Sequence, residues 1–201
     1  MKTASNAFAR VIAVAALGAS ISTIGTSANA DPEKEITPVS AYEIPGSLIH
    51  SPTNIKWVPE GPSKTAKVVD SEGVPGGQAI QIRVKKKYTS EPWKIEMRAP
   101  FDKDISSGET LELYFWLRAA KTPKGQDAGK VDVMIGRNEE PYDTIIVHEI
   151  QPTTEWKMYK VSGVAGANFP ADSSNMGFNL AKAKQTIEFG PFYAVKAPDS
   201  E

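Results

Sequence analysis

The chain has 201 residues, with 23 basic and 24 acidic side chains, a formal net charge of −1 at pH 7 and no cysteine. The lack of cysteine excludes disulfides and thiolate catalysis, and the balanced charge gives no footprint for nucleic acid or an anionic membrane. Without the first thirty residues, which are considered next, 171 residues suit one domain with a self-sustaining core.

Residues 1–30 are typical of a cleaved secretory signal peptide. Lys2 and Arg10 supply the positive start, "VIAVAALGA" (11–19) the apolar stretch, and "ANA" (28–30) the small-residue cleavage pattern. We therefore expect cleavage before Asp31 and a periplasmic or secreted protein. The apolar run is too short to span a bilayer and no later segment is longer, so we expect no membrane insertion.

Residues 31–62 are rich in Pro, Ser and Gly, as in "EIPGS", "HSPTN" and "VPEGPS". This composition predicts an extended lead-in rather than a helix. Ile55, Trp57 and Val58 carry enough apolar area for part of the lead-in to dock on the domain that follows, which we place at 63–201.

From residue 63 onward, short β-type runs alternate with turn-forming clusters such as "SEGVPGG" and "KTPKGQDAG". The runs, in chain order, are "TAKVVD", "QAIQIRVKK", "WKIEMRAP", "TLELYFWLRAA", "KVDVMIG", "YDTIIVHEI", "WKMYKVSGV", "NMGFNL" and "QTIEFGPFYAVK". Their number and spacing predict an all-β protein: an antiparallel β-sandwich of jelly-roll type, galactose-binding-domain-like. In the last run we expect Ile187, Phe189 and Tyr193 on one face and Glu188 and Phe192 on the other.

The run "LELYFWLRAA" (111–120) has two dissimilar faces. Its odd-numbered positions, from Leu111 to Ala119, are all apolar and predict a core face. The even-numbered positions combine aromatic with charged side chains, which suits neither an ordinary wet surface nor an ordinary core. They are Glu112, Tyr114, Trp116 and Arg118.

The order of the runs resembles the jelly-roll carbohydrate-binding domains of families 4, 9 and 22, which are often attached to xylanases and cellulases. The resemblance covers roughly residues 74–195 and depends on "EPWKIEM", "GETLELYFWLRA", "TTEWKMYKV" and "QTIEFGPFYAVKA" in that order. It implies a glycan groove across a concave sheet, with the mixed face of "LELYFWLRA" toward the sugar. We expect this fold to fill the chain after residue 30, without a catalytic domain. This favours a free-standing, monomeric binder of a polysaccharide or oligosaccharide, or a domain that has lost its ligand.

Sugars present an apolar ring face and a fringe of hydroxyls, which a flat aromatic ring and polar groups can recognise together. We therefore predict Trp116 and Tyr114 as stacking platforms. The predicted hydroxyl partners are Glu112, Arg118, Glu96 and Arg98. In the alternative interpretation Trp116 caps a sheet edge or is covered by the lead-in, and Glu112 and Arg118 are solvated or paired across strands.

Other aromatic residues receive separate predictions. The resemblance implies that Trp156 lies in the core, because similar strands of the family pack this position inside. Trp93 shares a face with Ile95, so we expect it in the core or on the groove floor. Tyr142 could border one end of the groove.

Catalysis is the weaker hypothesis, so no catalytic residue is assigned. Glu96 and Glu112 would form a glycosidase pair only at a suitable separation. His50 and His148 are the only histidines, and a single strand histidine such as His148 is more often hydrogen-bonded or exposed than a base. A small glycan hydrolase, a polysaccharide lyase and an envelope adhesion or structural protein remain alternatives.

No cofactor is expected, although the fold is compatible with a structural calcium ion. Two acidic turns could contribute ligands, but they do not form an ordered oxygen-ligand series. They contain Asp102 and Asp104, and Glu139 and Glu140.

Overall fold

The computed structural model describes residues 44–50 and 58–198. The predicted signal peptide, its cleavage site and most of the lead-in, including Trp57, lie outside the described residues. No helix in the part that is described has the length and apolarity needed to cross a bilayer.

The described residues form eleven β-strands and no α-helix. The strands are β1 (Ser47–Leu48), β2 (Val58–Glu60), β3 (Lys64–Asp70), β4 (Gln78–Val84), β5 (Glu96–Pro100), β6 (Thr110–Lys121), β7 (Val131–Arg137), β8 (Thr144–Ile150), β9 (Lys157–Val164), β10 (Ser174–Asn179) and β11 (Gln185–Lys196). Short 3-10 turns occupy Pro92–Lys94 and Ala171–Ser173. Each predicted run from residue 63 onward coincides with one of β3 to β11.

The strands make two antiparallel sheets, which confirms the predicted β-sandwich. The six-stranded sheet has the order β3-β4-β11-β6-β9, with β1 paired to β11, and the five-stranded sheet has the order β2-β5-β10-β7-β8. Strands adjacent in sequence are therefore often in different sheets, as a jelly roll requires.

The core lies between the two sheets and is built from alternate residues of each strand. On β6 the residues that enter this core are the predicted ones, Leu111 to Ala119 at odd positions. Phe178 of β10 contacts Phe115 and Phe189 edge-on, with ring centroids 5.3 and 5.2 Å apart, so aromatic packing joins the two sheets at the centre.

Strand β11 departs from the predicted alternation. Its pairing with β6 shifts register between Phe189 and Phe192, at Gly190-Pro191. Phe192 consequently lies in the core opposite Phe115, whereas Tyr193 lies on the outer face opposite Tyr114. The predicted faces of Phe192 and Tyr193 are therefore wrong, because the irregularity reverses which side chains point inward.

Two strands come from the segment predicted as an extended lead-in. Strand β1 pairs with the end of β11, and β2 extends the five-stranded sheet beside β5. Ile49, next to β1, is fully buried and donates its backbone N–H to Ala194 O at 3.0 Å. This part of the chain thus contributes to both sheets and to the core.

Candidate functional site

The six predicted site residues lie on two separate surfaces. Trp116 and its three neighbours on β6 face outward from the six-stranded sheet, whereas Glu96 and Arg98 on β5 face outward from the five-stranded sheet. These are the opposite outer faces of the sandwich. The expectation of one groove shared by all six is therefore wrong, because alternation predicts which side chains leave the core but not which sheet a strand joins.

The β6 quartet is largely occupied by contacts within the protein. Tyr114 is buried against Ile44 and Tyr193, and its hydroxyl donates to Glu112, which also pairs with Lys160 Nζ at 2.8 Å. Burial opposes ionisation of Glu112, but the hydrogen bonds from Lys160 and Tyr114 outweigh it and hold the pKa of Glu112 below its ordinary value. Trp116 itself is half-buried.

Arg118 neutralises a buried carboxylate. Its Nε donates to Glu188 Oε2 at 2.7 Å, and Glu188 Oε1 accepts from Gln81 Nε2 at 2.7 Å. The Arg118 guanidinium lies 5.0 Å from the ring centroid of Trp156, whose Nε1 donates to Ser71 Oγ. Trp156 is half-buried on this outer surface and does not belong to the core, so that prediction is wrong.

The outer face of the five-stranded sheet contains a cleft of about 630 Å³. Strands β5, β7 and β10 supply its floor, and the segments before β5 and after β7 supply its rim. The cleft is lined by Trp93, Glu96, Arg98, Met134, Arg137, Asn138, Tyr142, Asn175 and Asn179. A second hollow of about 570 Å³ continues from it, sharing Arg98, Asn138 and Asn175.

Glu96 is the buried carboxylate of the cleft floor. It is only 4% exposed, and Arg98 Nε donates to its Oε2 at 2.6 Å. Burial raises the pKa of Glu96 above its ordinary value, because the hydrogen bond and charge of Arg98 offset only part of the desolvation. The neighbouring outward position on β10 is Gly177, where an added Cβ would overlap Glu96 Oε1. The missing side chain makes the room in which the Glu96 carboxylate lies.

Two asparagines complete the polar floor. Asn179 pairs with Glu96 across β10 and β5, and Asn175 pairs with Pro100. Both are buried, and Asn179 Oδ1 has no hydrogen-bond partner among residues 44–50 and 58–198. A buried acceptor left unpaired costs free energy that a bound hydrogen-bond donor would recover.

Two exposed aromatic rings stand at the rim. Trp93 is 57% exposed on the 3-10 turn before β5, which is fixed by a backbone hydrogen bond from Ala181 N to Pro92 O at 3.2 Å. Tyr142 is 62% exposed in the β7–β8 loop and adopts a left-handed backbone with φ of 58°. Such a conformation is uncommon for an aromatic residue and is concentrated at functional sites.

Part of this cleft is predictable from the sequence. Glu96 and Arg98 are shared by the predicted site and the cleft, Tyr142 was expected near one end of a groove, and Trp93 was expected in the core or on the groove floor. Trp93 is instead on the rim, because Pro92–Lys94 forms a 3-10 turn and breaks the alternation that linked Trp93 to Ile95. Asn175 and Asn179 were missed, although both occupy polar alternate positions around the apolar Met176 and Phe178 in "NMGFNL".

The proposed carboxylate pair of Glu96 and Glu112 is excluded by the fold. The two side chains leave opposite outer faces of a sandwich whose sheets are about 10 Å apart, so their carboxyl groups exceed the separation that glycoside hydrolysis uses. Among the described residues, no group of three or more His, Asp or Glu side chains is placed to hold a metal ion.

Fold and cleft together define a jelly-roll β-sandwich with an aromatic-rimmed polar depression on one sheet. No family model matches the chain, and no curated protein matches it. Several solved structures are similar to the chain. A CBM4 structure is similar with a TM-score of 0.53 and 19% identity, over 70% of this chain and 94% of that one. The second N-terminal cellulose-binding domain of β-1,4-glucanase C from Cellulomonas fimi is similar with a TM-score of 0.55 and 17% identity, over 77% of this chain and 94% of the other. The chain therefore has the jelly-roll fold seen in carbohydrate-binding modules, as the sequence resemblance predicted.

Proposed function

We propose that this protein is an exported carbohydrate-binding protein that holds a glycan chain in the cleft of the five-stranded sheet. The observation that carries the proposal is the meeting of two exposed aromatic rings, Trp93 and Tyr142, with a buried polar floor in one depression. Exposed large apolar side chains clustered around a few convergent polar groups are the usual composition of a ligand site.

The chemistry of the cleft suits a sugar. Trp93 and Tyr142 offer flat apolar faces for pyranose rings. On the floor, Glu96 and Asn179 Oδ1 accept hydrogen bonds and Arg98 donates them, which matches a fringe of hydroxyls that can do both. Because one similar structure is a cellulose-binding domain, a β-1,4-glucan is the first probe.

A matched pair of substitutions tests the proposal. We expect Trp93→Ala to weaken retention on soluble β-glucans and xylans by about 30-fold or more in affinity electrophoresis, as for a central binding aromatic. Trp116→Ala, on the opposite face, should leave retention unchanged.

The reverse result would place the site on β6, as the sequence alone predicted. No retention on any neutral glycan would refute the proposed glycan site in the cleft and favour a protein partner for the aromatic rim. Release of reducing or unsaturated ends during incubation would show a glycan hydrolase or lyase instead of a binder.

Export rests on the signal-like pattern of residues 1–30. Expression in a bacterial host should yield a mature protein that begins at Asp31, and the intact mass of the purified protein measures this directly. A retained N-terminal Met1 in the protein recovered from the periplasm or medium would contradict the proposed cleavage.

A further inference from the structure

A separate hollow, of about 230 Å³, lies at one end of the six-stranded sheet and is lined mainly by cations. Four of its seven lining residues are basic and none is acidic. The lining consists of Arg83, Val84, Lys85, Lys121, Lys184, Gln185 and Thr186. We refer to Arg83, Lys85, Lys121 and Lys184 as the cationic hollow.

Strand register brings these cations together. Thr186 of β11 pairs with Arg83 on β4 and with Lys121 on β6, so the three residues form one row across adjacent strands. At about 4.8 Å per strand, the Cα atoms of Arg83 and Lys121 are about 10 Å apart. Val84 of β4 and Gln185 of β11 pair with each other. Lys85 directly follows Val84, and Lys184 directly precedes Gln185.

A β-bulge is responsible for the direction of Lys121. Ala119 is fully buried, so regular alternation would also turn Lys121 inward. The pairing of β11 with β6 shifts between Thr186 and Ile187, which leaves Ala120 as an extra residue. Both Ala120 and Lys121 are exposed as a result, and Lys121 joins Arg83 on the outer face.

The four cations are not used in ion pairs within the described part of the chain. None of the four forms an ion pair with any residue that the structure describes. The next outward residue on β11 is Glu188, but its two oxygens are taken by Gln81 and Arg118. Like charges within about one Debye length repel each other, so an anion in the hollow would remove an unfavourable interaction.

We propose that the cationic hollow is a second binding site, for the anionic groups of an acidic polysaccharide. The site is distinct from the cleft because it lies on the other sheet; only the choice of a polysaccharide rests on the proposed function. A hollow admits a protruding carboxylate or sulfate, and Arg83 supplies the planar fork that such groups accept. Single-stranded nucleic acid is a poorer fit because no aromatic ring lines the hollow, and a flat membrane would reach only its edge.

The test compares two double variants that remove the same charge. Arg83→Gln with Lys121→Gln removes two of the four charges of the hollow, whereas Lys103→Gln with Lys157→Gln removes two exposed lysine charges elsewhere. The probes are polygalacturonate for carboxylate, heparin for sulfate and a neutral β-1,4-glucan. We expect the wild type to retain at least one acidic polymer, more weakly as NaCl rises from about 0.05 to about 0.5 M.

We expect the hollow variant to bind that polymer about 30-fold more weakly and the control variant to bind it like the wild type. Trp93→Ala should lose the neutral glucan and keep the acidic polymer, so failure of the cleft and failure of the hollow are distinguishable. Absence of binding to both acidic polymers, or equal binding by the hollow variant, would overturn the proposal. Hollow-dependent retention of single-stranded DNA or anionic vesicles without acidic polysaccharide would also overturn it.

Discussion

Replacing Glu96 by Gln should stabilise the protein at neutral pH and not at acid pH. Burial raises the pKa of Glu96 in the folded protein, and Arg98 offsets only part of that effect. The folded state therefore holds the Glu96 proton more tightly than the unfolded chain does. Below the pKa of the unfolded chain, Glu96 is protonated in both states and costs no stability. The cost of ionising it grows as pH rises through the raised pKa of the folded state.

The slope of the free energy of unfolding against pH follows from the titration of a single proton. The free energy of unfolding of the wild type, measured relative to Glu96→Gln, should fall by at most about 1.4 kcal/mol per pH unit within that window and be level on either side. Urea unfolding followed by tryptophan fluorescence, from about pH 3 to about pH 8, measures the difference between the two proteins. A difference that stays constant, or that favours the wild type increasingly as pH rises, would refute the assignment of a raised pKa.

Glu112→Gln is the matched control with the opposite sign. Although burial opposes ionisation, the hydrogen bonds of Lys160 and Tyr114 lower the pKa of Glu112, so its stabilising contribution is present above the unfolded pKa. This contribution is lost as pH falls through the lowered value. Glu112→Gln should thus destabilise the protein at neutral pH and lose its effect in acid.

Three further substitutions test the packing around the two faces. Gly177→Ala should displace the Glu96 carboxylate at a cost of about 1–3 kcal/mol in urea unfolding and weaken β-glucan binding; unchanged binding would mean that the position of Glu96 does not matter. Arg118→Ala should cost about 3 kcal/mol of stability by leaving the buried Glu188 carboxylate without its cation, and lost glycan affinity with intact stability would instead make Arg118 a ligand residue. Phe178→Ala should cost about 3–5 kcal/mol, measured by the same unfolding assay, since this fully buried ring contacts two phenylalanine rings; a loss below about 1 kcal/mol would contradict its central place in the core.

The sandwich was predictable because periodicity and turn chemistry act locally. On β6 the odd positions from Leu111 to Ala119 are all buried, as alternation requires. Alternation failed where the chain inserts an irregularity, as at Gly190-Pro191, and the sequence does not show whether such a residue ends a strand or bulges within it. The faces of Phe192 and Tyr193 depend on that distinction.

Residues before 63 show a second reason why sequence alone does not predict the sheets in full. The Pro-rich composition indicated extended chain, which is what Ser47–Leu48 and Val58–Glu60 are, but not that both would pair into the sheets. Pairing depends on where strand edges are left open, and sheet edges are set by topology rather than by local composition. These two segments of the lead-in thus had a predictable conformation and an unpredictable partner.

The position of the cleft depends on the relation between small and large side chains across a sheet. Alternation identifies two outward surfaces of a sandwich without saying which one is hollow. On β6 the outward side chains are long and largely paired with neighbours, as in the contacts of Glu112 and Arg118. On the five-stranded sheet Gly177 leaves the middle open, while Trp93 and Tyr142 rise from turns at the rim. A glycine inside the strand "NMGFN" is therefore the sequence feature that marks the cleft, because a strand interior tolerates glycine where another group must approach closely.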